Sequence, residues 1–168
     1  MFFSKWTLFQ VATLFCMMLI VFIAEFFSDE ISTAFTSGTF ASSSLVISFI
    51  VLGSSLISLF LIFHSKKSNR FLSHPLWNKM PILITIFFTL SFIVFMVAFF
   101  IFSLADFILV NRWFLYVLAY YFLFLLNIFV LSIVHKMKEE LSKERKIELS
   151  FIFTIVGLVL LIFFIPSI

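Results

Sequence analysis

Tyr116, Tyr120 and Asn127 recur at helical spacing, so a helix carrying them shows all three on one face, with Arg112 at its outer end. Two phenols and a carboxamide can hydrogen-bond a ligand, a neighbouring helix or a second copy of the chain. They cannot cleave anything unaided. Hydrolysis needs a nucleophile with its base, paired carboxylates or a metal. Glu25 and Asp106 have no acidic neighbour at helical spacing. His64, His74 and His135 fall at the edges of apolar runs. His64 and His135 end two runs on the same side, but two imidazoles without a carboxylate or thiol make a poor zinc site. No H-E-x-x-H, P-loop or G-x-S-x-G pattern occurs. Gly38, Gly53 and Gly157 are too sparse for a loop that cradles phosphates. The expectation is therefore a protein that is not an enzyme and has no cofactor, no metal site and no nucleic-acid partner.

Two other polar stripes share this helical logic. Ser44, Ser48, Ser55 and Ser58 fall within about 80° of one another at 100° per residue. Ser54 and Ser58 also form a small-xxx-small pair, which lets two helix backbones approach. Thr85, Thr89 and Ser103 share a face on a third stretch. For all three stripes the plain reading is helix packing. The functional reading, strongest for Tyr116, Tyr120 and Asn127, is a polar cavity or an association face.

The elements that carry these residues are dictated by composition. The chain is 64% hydrophobic and only 11% charged, with a mean hydropathy of +1.27. Globular domains are roughly 45–50% apolar and about 25% charged. A water-soluble fold of 168 residues has too little interior for so much apolar surface. Apolar runs lie at about 6–27, 43–63, 82–104, 113–134 and 149–165. Each approaches the roughly 20 residues that cross a bilayer core as a helix. Lipid offers no partner to an open backbone, so the runs must be helices. They lack the alternation that a barrel requires. The fold expected is all-α: one integral membrane domain over 1–168, a bundle of five transmembrane helices. Pro166 would stop the last one.

Charge sets the orientation. Lys5, Lys66, Lys67, Arg70, Lys79, Lys136, Lys138, Lys143, Arg145 and Lys146 all fall on one side of a five-pass chain, and only Arg112 falls opposite. The positive-inside rule then places the N-terminus in the cytoplasm and the C-terminus outside a cell membrane. Trp6, Trp77 and Trp113 fall at expected interfaces. The first run is near full bilayer length and no A-x-A-type site follows it, so it reads as a retained span. Cys16 reads as a small packing residue. The segment 28–42 is a Ser/Thr-rich outer loop, and 64–81 is a basic loop that lies against anionic headgroups. The mixed-charge stretch 135–148 continues the fourth helix into the cytosol, with Glu139 and Lys143 paired four residues apart. Asp106 and Arg112 flank a tight hairpin and can pair.

Two functional classes fit. The first is an accessory subunit or immunity-type protein that acts by binding another membrane protein or itself. The second is a small transporter or channel subunit using the Tyr116, Tyr120 and Asn127 face. Five passes cannot form two equal halves, and no deeply buried ionisable residue is evident, which weighs against the second.

Overall fold

The computed structural model describes residues 4–29, 40–68, 70–102 and 104–164, with backbone only at 40–43, 105 and 162–164. Glu30, Gly38, Ser103, Pro166 and most of the expected outer loop 28–42 lie outside the described residues. Among the described residues six helices are delimited: α1 Lys5–Phe26, α2 Phe40–Lys67, α3 Met80–Ile101, α4 Leu104–Val110, α5 Trp113–Met137 and α6 Lys143–Phe164. A short 3-10 turn, Pro75–Asn78, precedes α3. No strand occurs among the described residues.

Among the described residues four helices are long and apolar enough to cross a membrane: Lys5–Phe26, Ser44–Lys67, Met80–Ile101 and Trp113–Met137. The expected fifth does not meet the same measure. Lys143, Glu144, Arg145, Lys146 and Glu148 occupy its first turns, leaving only Leu149–Phe164 apolar. At 1.5 Å per residue that stretch is about 24 Å long, short of a core of about 30 Å.

The helix ends differ from expectation for local reasons. Pro81 sits in the first turn of α3, where its missing N–H is not needed. His64, Lys66 and Lys67 fall in the last turn of α2, facing the negative end of its dipole. α3 stops at Ile101, and the expected tight hairpin instead contains α4, with Asp106 in its first turn. α5 continues only to Met137. Glu139 therefore lies in a turn before α6, and the expected helical pair with Lys143 has no helix to carry it.

α2 and α5 form the centre. α2 packs against α1, α5 and α6; α5 packs against α1, α2, α3 and α6. α3 leans on α5 through Ile84, Phe88, Ser91, Phe95 and Ala98, the positions that return to one face every three or four residues. Its Thr85 and Thr89 point away from the bundle, and the Thr85 hydroxyl donates to its own Pro81 carbonyl at 2.8 Å. Cys16 is exposed on α1 rather than packed.

The end of the bundle closed by residues 70–79 is plugged. Leu72 has φ 64°, a left-handed conformation costing about 1–2 kcal/mol for a branched side chain. The strain turns Leu72 inward to 3% exposure, and burying a leucine contributes about 1.5–3 kcal/mol. Burial wins. Trp77 follows it in and is 6% exposed, its ring 5.3 Å from Phe71 and 5.9 Å from His135. Trp77 was expected as an interfacial anchor; the strained turn before it makes it a core residue instead.

Candidate functional site

Between the helices polar side chains are buried beside an apolar core that includes Ile57, Leu61, Leu131 and Ile147, and the outside is apolar. Ser54, Ser58, Asn127, Ser132, Ser150 and Thr154 are all buried on α2, α5 and α6. The outward residues of α6, Ile152, Phe153, Val156, Leu160 and Leu161, are apolar. Lipid tails are as apolar as leucine, so nothing drives a leucine inward, while a hydroxyl is better placed between helices.

Most of these hydroxyls are satisfied by their own helix. Ser132 donates to the Phe129 carbonyl at 2.6 Å, Ser150 to Ile147 at 2.8 Å and Thr154 to Ser150 at 2.8 Å. Among the described residues five buried side-chain atoms have no partner: Glu25 Oε2 on α1, and Ser54 Oγ, Ser58 Oγ, Tyr120 OH and Asn127 Oδ1. The last four lie on α2 and α5, the two helices that meet at Gly53. A Cβ added there would stand 2.8 Å from both Leu123 Cδ2 and Tyr120 Cε1. A larger residue there needs the Leu123 and Tyr120 side chains to shift.

The Tyr116, Tyr120 and Asn127 face is turned inward, toward α1 and α2. Tyr116 lies in the first turn of α5, where its hydroxyl is 3.5 Å from the Ala24 carbonyl of α1. Tyr120 stacks obliquely on Phe49 of α2 at 4.9 Å. Asn127 is 1% exposed, and its Nδ2 donates to the Leu123 carbonyl of its own helix at 2.9 Å. The three share a face but line neither of two apolar grooves beside them. One groove, about 320 Å³, runs between α3 and α5 along Phe88, Phe92, Phe95 and Phe122. The other, about 380 Å³, lies among α2, α3, α5 and α6 and includes Phe49, Leu123, Leu126 and Leu158.

The expected serine stripe is rotated relative to the real contact face. Ser58 is buried and Ser55 half-buried, but Ser44 and Ser48 are exposed. The packed face runs instead through Gly53, Ser54, Ile57, Ser58, Leu61 and Ser65. The small-xxx-small pair Ser54 and Ser58 marks it better than the four-serine stripe does.

Other placements correct particular expectations. Arg112 reaches across to Asp29 at 2.8 Å rather than to Asp106. Both partners are well exposed, so the pair contributes at most about 1 kcal/mol. His64 and His135 do not meet, because Phe71 and Trp77 lie between them. No cluster of three metal-ligating side chains occurs among the described residues. Sequence reasoning passed over Gln10, whose Nε2 donates to His64 Nδ1 at 3.1 Å and ties α1 to α2. The available signal was a lone carboxamide one turn inside the first apolar run. Lys146 was also missed as a buried group. It is 5% exposed and donates to the Glu139 carbonyl at 3.0 Å and to His135 Nδ1 at 3.3 Å. An imidazole nitrogen accepts from an ammonium only while it carries no proton of its own, so this contact holds a neutral His135.

Comparison with known proteins finds no matching family model, no matching curated protein and no matching solved structure.

Proposed function

We propose that the chain is a five-pass protein of the cell membrane that acts by binding another membrane protein, as an accessory subunit or an immunity-type protector, and not by catalysis. Its N-terminus lies in the cytoplasm and its C-terminus outside. The fifth pass is α6. Its polar side chains face α2 and α5 and its apolar ones face outward, which suits a helix surrounded by lipid. Its short apolar length is met by local thinning of the bilayer and by Lys143 and Arg145 reaching to the headgroups.

The observation that carries the partner reading lies half way along α3. Ser91 Oγ and Tyr121 OH share a hydrogen bond of 2.6 Å on an accessible, otherwise apolar side of the bundle. Polar groups at mid-membrane depth normally turn inward. α3 touches little else than α5 and the short elements beside it, so it offers this side to a partner. The inward-facing Tyr116, Tyr120 and Asn127 support a packing role, which weighs against the alternative of a transport path through one chain.

Affinity purification in mild detergent tests the reading. A membrane protein recovered in fixed ratio, and lost on Ser91→Leu with Tyr121→Phe, is the expected result. Liposomes containing only this protein should show no flux. Flux in those liposomes, with no partner recovered, would replace the accessory reading with the transporter one.

A further inference from the structure

At the cytoplasmic end of α1 and α2 the structure collects the parts of an amphiphile site. The Lys5 and Lys66 ammonium groups stand 5.2 and 5.3 Å from the centre of the Trp6 ring. Lys5 is its chain neighbour, but Lys66 comes from the far end of α2, so the ring fixes two cations from different helices. Below them Trp6 stacks on Phe63 at 6.2 Å, and Phe63 stacks on Phe9 at 5.1 Å. Phe9 is 44% exposed, so the aromatic wall is open on its outer side. Lys67 follows in the chain, and the acid paired here is Glu144, 3.5 Å from Lys66. Two ammonium groups are therefore held against one carboxylate.

We infer that Lys5, Lys66 and Trp6 bind the phosphate of an anionic phospholipid, whose acyl chain lies along Phe9 and Phe63. The inference rests on the membrane placement proposed above but not on the partner reading. The charge order is right for it, since cations sit at the start of the first apolar run, where phosphates lie, and the wall descends from there into the core. A soluble phosphate would use the cations and leave the wall unused. Each lysine near an anionic surface is worth about a fivefold change in binding. The aromatic ring adds to this by holding both ammonium groups in place before the lipid arrives. Glu144 competes with the phosphate for Lys66, which gives one substitution of opposite sign.

The test is native mass spectrometry of the intact, detergent-purified protein given equal amounts of phosphatidylglycerol and phosphatidylcholine. The parent should retain phosphatidylglycerol preferentially. Lys5→Gln and Lys66→Gln should each reduce that preference about fivefold, Lys66→Arg should keep it, and Glu144→Gln should raise it. Lys138→Gln, in the turn after α5, should leave it unchanged. A fall with Lys138→Gln equal to that with Lys5→Gln would show diffuse attraction to the basic side and overturn the site. So would displacement of the lipid by equimolar glycerol phosphate, which would assign the cations to a soluble anion. An unchanged preference in the Lys5→Gln, Lys66→Gln double variant, with its melting temperature equal to the parent's, would overturn it outright.

Discussion

Replacing Asn127 by leucine should make the protein more stable, not less. The side chain is 1% exposed and its Oδ1 accepts from nothing. A buried acceptor without a partner costs about 1–3 kcal/mol. Its Nδ2 bond to the Leu123 carbonyl is within its own helix, and such bonds average about 0.6 kcal/mol at membrane depth. Leucine has nearly the same branched shape, so it exchanges a weak bond and an unmet acceptor for apolar contact. The net gain is about 1 kcal/mol, or roughly 2–4 °C in melting temperature for a chain of this size. Asn127→Ala is the control: it removes the same groups but leaves a void, and should melt below the parent. The assay is thermal unfolding in mild detergent, followed by the near-ultraviolet signal of the tryptophans. A fall for Asn127→Leu as large as that for Asn127→Ala would refute the reasoning. It would mean that Oδ1 holds a bond across to α2, and that the carboxamide is structural.

Gly53→Val should destabilise by about 1–3 kcal/mol by forcing α2 from α5, whereas Gly53→Ala recovers part of that through better helix propensity; the two melting temperatures give the order. Tyr120→Phe should be neutral or stabilising in the same assay, since its buried hydroxyl has no partner. Trp77→Ala should lower stability by about 3–5 kcal/mol and loosen the end of the bundle that it plugs, read as faster hydrogen exchange in residues 70–79. A tag placed at Ile168 should be reached by an impermeant reagent in intact cells; labelling only after permeabilisation would leave α6 on the cytoplasmic side.

The sequence carried the helices because lipid leaves an apolar run no other structure. It carried their boundaries less well, because a helix end depends on local chemistry: Pro81 started α3 earlier than the hydropathy did, and the charges of α6 lie inside the helix rather than before it. Faces were harder still. In a soluble helix, periodic apolar residues show which side is buried. In α2 apolar residues occur on every side, so only the small and polar residues are informative, and the stripe chosen among its eight serines was rotated from the real one. Gly53 settles the direction, because the space of its missing Cβ is taken by the Leu123 and Tyr120 side chains of α5. Had the contact face been centred on Gly53, Ser54 and Ser58 would have been placed inside and Ser44 and Ser48 outside. The inward turn of Trp77 was beyond such reasoning. It depends on Leu72 accepting a left-handed backbone, a choice made by the cavity it fills and not by leucine's own preference. The buried polar residues follow from the same physics as the apolar surface. With no hydrophobic drive between helices, close approach and hydrogen bonding decide which faces meet, and the unpartnered atoms of Ser54, Ser58, Tyr120 and Asn127 mark where close approach won over hydrogen bonding.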